Sequence, residues 1–216
     1  MTFIKKYIII DMKVVKKGMR LNHKRIILST IITIMFFLLI LGLYLNFRGD
    51  ELKFKDQYSL YNITPYSNGK TIKVDIPTKN NVKYVKNSDF INLISKETGI
   101  FYFGYPSCPW CRNVVETVVE VGVENNLPIY YIDIEKLDDE SLKNTISYLN
   151  KYLRKTPTDE LRLYVPDVYF VKKGTIINHH IGSIESQKNP YNKLKGKEKE
   201  KLKEIYLDFV EEMRKK

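Results

Sequence analysis

The sequence predicts a mixed α/β domain, a central mixed sheet flanked by helices, preceded by one N-terminal transmembrane helix. Three features predict it: an uncharged run over residues 26–47, short apolar strands alternating with amphipathic helices from residue 82 onward, and the only two cysteines of the 216-residue chain at a strand-to-helix turn. As a helix, the uncharged run extends about 33 Å, close to the thickness of a hydrocarbon core. A cleavable signal peptide has a shorter apolar centre and a small-residue cleavage site, and Leu43-Tyr44-Leu45-Asn46-Phe47-Arg48 offers none. An uncleaved anchor is expected.

Eight basic residues (Lys5, Lys6, Lys13, Lys16, Lys17, Arg20, Lys24 and Arg25) precede the span, against the single acid Asp11. That bias predicts a basic cytoplasmic leader over residues 1–25, a single-pass anchor in the cell membrane over 26–47, and an extracytoplasmic remainder. Of the 36 basic and 25 acidic residues, 28 and 24 fall after the span. The net charge of +11 therefore orients the chain in the membrane, and no nucleic-acid partner is expected.

Residues 48–81 are polar and rich in Tyr, Asn and Lys, with one alternating patch, Thr71-Ile72-Lys73-Val74-Asp75-Ile76. They read as an extracytoplasmic stem with an added strand. Asn62-Ile63-Thr64 matches a glycosylation acceptor, a triplet too common by chance to carry weight. Residues 82–216 read as the α/β domain. Residues 82–85 are strand-like, and Ser88 can cap a short helix whose Phe90, Ile91 and Ile94 share a face. Residues 100–105 form a second strand. Val114, Val115, Val118 and Val119 recur at helical spacing until Asn125-Asn126-Leu127-Pro128 stops the helix.

A third strand covers 129–134. Asp138, Asp139 and Glu140 suit the start of a helix carrying Leu142, Ile146, Leu149 and Leu153. Residues 167–171 and 175–181, joined by Lys172-Lys173-Gly174, read as a hairpin. The closing helix repeats Leu202, Ile205, Tyr206, Phe209, Val210 and Met213 at spacings of 3 and 4.

Cys108-Pro109-Trp110-Cys111 places two thiols one helical turn apart. With a strand ending near Tyr105 and a helix starting near Pro109, the Cys108 sulfur lies over free N–H groups that stabilise a thiolate. Pro109 suits the first turn, where its missing donor costs nothing. Cys111, at i+3, falls on the same face and can resolve a mixed disulfide formed at Cys108. A structural zinc would need four ligands, and neither His23 nor the pair His179-His180 completes the set, because adjacent strand residues point to opposite faces. A redox dithiol fits best. An inert disulfide remains the bland alternative, although its loop is too short to restrict the unfolded chain much. No cofactor is expected beyond a Cys108–Cys111 redox disulfide.

Residues 82–214 resemble a thioredoxin-fold domain in element order, in the place of Cys108 and Cys111, and in Val165-Pro166, Gly174 and Gly182. More narrowly, Phe101-Tyr102-Phe103-Gly104-Tyr105-Pro106-Ser107-Cys108-Pro109-Trp110-Cys111-Arg112, followed by Ile129-Tyr130-Tyr131-Ile132-Asp133, is similar to the bacteriocin transport accessory proteins. The resemblance implies a thiol-disulfide oxidoreductase with Cys108 attacking and Cys111 buried. It also implies a cis peptide bond at Pro166, a Val165 backbone free to pair with a substrate peptide, and Trp110 offering that peptide an aromatic face.

Two positions depart from the pattern. Tyr102 stands where thioredoxins keep a buried Asp that deprotonates the resolving thiol, and Asp167 follows the proline. Asp167 is expected either to take over as proton acceptor, to repel acidic substrates, or to be a solvated loop acid. The implied partners are an exported cysteine-containing peptide or protein and a membrane redox partner that recharges the dithiol. The compartment favours an oxidase or isomerase over a reductase. A non-catalytic binding subunit of an export system is the alternative outside enzymes, with the loop over 186–195 as docking surface or flexible connector.

Overall fold

The structure, a computed structural model, describes residues 25–42, 49–86 and 89–215. The chain divides into two units, Met1–Arg48 and Gly49–Lys216. In the first, the described part is one helix, α1 (Arg25–Gly42), with a mean hydropathy of 2.4, long and apolar enough to cross a membrane. Residues 1–24 of the leader, residues 43–47 of the predicted span and the Ser88 cap lie outside the described residues.

In the second unit the elements run α2 (Asp50–Leu60), β1 (Val82–Tyr84), α3 (Phe90–Ile94), β2 (Gly99–Gly104), α4 (Pro109–Glu124), β3 (Ile129–Asp133), α5 (Asp139–Leu149), β4 (Arg154–Lys155), β5 (Leu161–Arg162), β6 (Asp167–Lys172), β7 (Thr175–Ile181) and α6 (Lys197–Lys215). The main sheet has the order β1-β3-β2-β6-β7. Strands β1, β3 and β2 are parallel, β6 runs antiparallel to β2, and β7 antiparallel to β6. Parallel strands bury both faces. Accordingly Ile100, Tyr102, Ile129, Tyr131, Val168 and Phe170 face α4 and α6, while Phe101, Phe103, Tyr130, Ile132, Tyr169 and Val171 face α3 and α5. The period-2 geometry of a strand assigns those faces.

Local chemistry sets the ends. Asp138 accepts from the Ser141 N–H at 2.7 Å and caps α5. The β6–β7 turn places Lys173 and Gly174 at φ 47° and 76°, as a two-residue hairpin requires. A Cβ on Gly174 would meet the Ser95 carbonyl oxygen at 2.0 Å.

Four expectations are corrected. Residues 49–81 are no polar stem but part of the second unit, because Phe54, Tyr58, Val74 and Ile76 enter the core cluster beside β2, β3 and α4. The patch over 71–76 alternates buried and exposed as expected, yet it joins no sheet. Its backbone is bonded by side chains instead: Asn62 takes both polar groups of Val74, and Glu116 accepts from the Asp75 N–H. Asn62 is thereby occupied within the fold. Ile91, expected to share the buried face of α3, is exposed. The loop over 186–195 is pinned to α4, since buried Asn113 donates to the Pro190 carbonyl at 2.6 Å and accepts from the Leu194 N–H at 2.8 Å.

Candidate functional site: the dithiol at the start of α4

Cys108 is the N-cap of α4, with extended backbone (φ −67°, ψ 120°) and Pro109 in the first turn. Its Sγ accepts from the Cys111 N–H at 3.1 Å. Both cysteines are free thiols, Cys108 3% exposed and Cys111 fully buried. A hydrogen bond from the Cys111 thiol holds the Cys108 pKa below the ordinary value, burial opposes it, and the backbone N–H groups of Cys111 and Trp110 reinforce the lowering. Burial, then the bond to Cys108 and its charge, push the Cys111 thiol well above the ordinary value. One sulfur is thus prepared as nucleophile and leaving group, while the other keeps its proton.

Behind Cys111 stands a neutral aromatic wall. The fully buried Tyr102 hydroxyl lies 2.9 Å from that of Tyr58, also fully buried, and donates to the Cys111 carbonyl at 3.4 Å. Burial raises both phenol pKa values far above the ordinary one, so the pair supplies hydrogen bonds and no base. Arg112, fully buried, donates to the carbonyls of Ile72 (2.8 Å), Tyr58 (2.9 Å) and Pro106 (3.0 Å) and to the Asn62 side chain. Guanidinium stays protonated in such a place. Sequence reasoning missed both Arg112 and Tyr58. Nothing in a C-terminal neighbour of a dithiol marks it as buried, and α2 has almost no amphipathic pattern to flag Tyr58.

The remaining expected residues assemble in part. Val165-Pro166 is a cis peptide bond, with Pro166 buried and Val165 half-buried. Trp110 is half-buried, and with Val165 it lines a groove of about 490 Å³. Asp167 departs from its expected roles as proton acceptor, charge facing substrate or solvated loop acid. It is fully buried at the start of β6, accepting from the Tyr169 hydroxyl at 2.8 Å and lying 3.2 Å from His179 Nδ1. It pairs across strands with Phe103, on the face turned from Tyr102 and α4, so the sheet separates it from Cys111. Burial raises its pKa, countered by the bonds from His179 and Tyr169. His179 stacks on Tyr169 and His180 packs on Tyr206, on opposite faces as expected. No group of three or more metal-ligating side chains occurs among the described residues.

Strand order 1-3-2-6-7 in a mixed sheet, helices on both faces and a dithiol capping the helix after the second strand define a thioredoxin-like fold. Solved structures similar to this chain include two from Arabidopsis thaliana in the oxidized state. Thioredoxin O1 is 27% identical (TM-score 0.36) over 48% of this chain and 86% of its own, and thioredoxin O2 is 20% identical (TM-score 0.39) over 60% and 95%. Thioredoxin from Aeropyrum pernix is 20% identical (TM-score 0.34) over 46% and 74%. No family model matches the chain. No curated protein matches it.

Proposed function

We propose that the chain is a membrane-anchored, extracytoplasmic thiol-disulfide oxidoreductase that oxidises or isomerises disulfides of exported peptides or proteins. The observation that carries this is Cys108 Sγ held at 3.1 Å from the Cys111 N–H at the head of α4, with the resolving thiol sealed behind it. In the oxidising direction a substrate thiolate attacks Cys108 Sγ, the Cys108–Cys111 bond breaks, and Cys111 leaves and is protonated. A second substrate thiolate then attacks the substrate sulfur of the mixed disulfide and expels Cys108 as thiolate. The substrate loses two electrons to the dithiol, and a membrane redox partner removes them.

Two features favour this direction. A stabilised Cys108 thiolate makes the reduced protein favourable and the oxidised one a stronger oxidant. The extracytoplasmic side proposed for the domain adds to this, because disulfides persist outside the cytoplasm. The similarity around Cys108 and Cys111 to the bacteriocin transport accessory proteins supports exported peptides as substrates. The anchor is α1, with the basic leader on the cytoplasmic side.

The test is single-turnover oxidation of a reduced dithiol peptide by the oxidised protein, with the potential measured in glutathione buffers. A potential above about −200 mV and loss of all turnover in Cys108→Ser are expected, and Cys111→Ser, given the same peptide in its disulfide form, should be trapped as a mixed disulfide as Cys108 attacks and the peptide's second sulfur leaves as a thiol. Full turnover in Cys108→Ser would exclude enzymatic dithiol chemistry. A potential near −270 mV, that of a reductant, would reverse the proposed electron flow.

A further inference from the structure

Between α5 and β6 in the chain lies a hairpin, β4–β5, that reaches the groove beside the dithiol. Arg154 and Lys155 of that hairpin line the groove together with Trp110 and Val165. Residues 150–164 carry four cations, Lys151, Arg154, Lys155 and Arg162, and two acids, Asp159 and Glu160. The acids do not neutralise the wall. Asp159 pairs with Lys155 at 2.7 Å, an exposed and weak pair, while neither Arg154 nor Arg162 makes an ion pair among the described residues.

The register adds a second observation. Arg154 lies directly across from Arg162, so two guanidinium-bearing side chains share one face of the hairpin. Like charges so placed repel unless an anion sits between them. Arg162 is drawn over the Tyr164 ring at 5.4 Å, and Tyr164 itself lines the groove. A third observation comes from other residues of the groove. Ser183 Oγ and Gln187 Oε1, on side chains that also line the groove, are buried without a hydrogen-bond partner. Gln187 is more than nine-tenths buried, its amide N–H bonded to the Asn192 carbonyl. Such atoms destabilise a protein unless something binds them. The backbone N–H of an extended peptide supplies what Gln187 lacks.

We propose that the dithiol selects an extended peptide segment whose reacting cysteine is flanked by acidic residues. Arg154, with Lys155 and Arg162, takes the acidic side chain, and Ser183 and Gln187 take peptide backbone. Glu185 is the one acid among the residues that line the groove, against Arg154 and Lys155. This rests on the exchange chemistry proposed above and names its substrate class. The step read out is mixed-disulfide formation: the peptide thiolate bonds to Cys108 Sγ of the oxidised protein, and Cys111 leaves with the electron pair and takes up a proton.

The experiment uses the oxidised full chain in neutral detergent and short single-cysteine peptides with Glu, Gln or Lys on both sides of the cysteine. A small uncharged dithiol serves as the reference. At about 10 mM ionic strength the Glu peptide is expected to react about 10-fold faster than the Lys peptide, with Gln between, once rates are corrected for each peptide's thiolate fraction. The ratio should collapse toward 1 at about 1 M salt. The double variant Arg154→Glu, Lys155→Glu should invert the order. A Glu-to-Lys ratio within twofold at low salt, with the uncharged dithiol reacting, overturns the acidic selection alone. Failure of the uncharged dithiol to react overturns the exchange chemistry beneath it. Should the double variant not fold, the salt dependence of the unaltered protein decides the matter by itself.

Discussion

Cys108 and Cys111 pull the stability of the reduced protein in opposite directions as pH changes. The Cys108 pKa is lowered from an ordinary value of 9.0, so its contribution is fully present above about pH 9 and is lost as pH falls through the folded value. The Cys111 pKa is raised, so its contribution is full below about pH 9 and is lost as pH rises toward the folded value. The melting temperature of the reduced protein should therefore carry a component that climbs with pH and turns over near pH 9. Cys108→Ser should remove the climb, and Cys111→Ser the fall, in thermal melts under strong reductant. An unaltered pH dependence in Cys108→Ser would mean that no thiolate is stabilised there. Asp167 makes a contrasting case. Because the sheet stands between it and Cys111, Asp167→Asn should leave the pH profile of dithiol exchange where it was, and a shifted profile in stopped-flow rates would restore it as a proton acceptor.

At the scale of elements, Arg112 ties α4 to the segment before β1. Its guanidinium satisfies carbonyls of Tyr58 at the end of α2, of Ile72 in the extended run and of Pro106 in the turn leading to Cys108. Arg112→Met would leave those acceptors buried and unpaired, a loss of about 3 kcal/mol. Hydrogen exchange should rise first in α2 and around residues 70–76, ahead of the sheet strands; uniform acceleration would show that Arg112 has no such local role. Arg112→Lys, which keeps the charge without the fork, should fall between the two.

This junction is also where the sequence was hardest to read. The strands β1, β2, β3, β6 and β7, the valine stripe of α4 and the apolar stripe of α6 announce themselves by pattern, and Cys108-Pro109-Trp110-Cys111 by spacing. The short β4–β5 hairpin carries too few residues to show a period. Helix α2 buries only Phe54 and Tyr58 on an otherwise polar segment, and its place is set by long-range bonds that Asp50 accepts from the Tyr84 N–H and Glu51 from the N–H groups of Asn80 and Asn81. No local pattern encodes those partners.

For the whole molecule, the question is where the independently folding part begins. The resemblance put its start near residue 82, whereas the structure gathers Gly49–Lys216 into one unit. Phe54, Tyr58, Ile72, Val74 and Ile76 are all at most 4% exposed, and burial of such side chains stabilises a fold by about 1.5–3 kcal/mol each. Removing the five together forfeits on the order of 10 kcal/mol, as much as the whole net stability of a typical domain. It would also strip the cover from Tyr102, Tyr131 and Arg112, directly behind the dithiol. A chain truncated to residues 49–216 should therefore purify without detergent, melt in one cooperative transition and keep the thiol exchange rate of the full protein. A chain truncated to 82–216 should bind a hydrophobic dye, lose its near-ultraviolet circular dichroism and expose Cys111 to alkylation at the rate of an ordinary cysteine. Equal melting temperatures and equal Cys111 protection in the two truncations would return residues 49–81 to the status of a stem, and with it the neutral wall behind Cys111 would lose its part in the site.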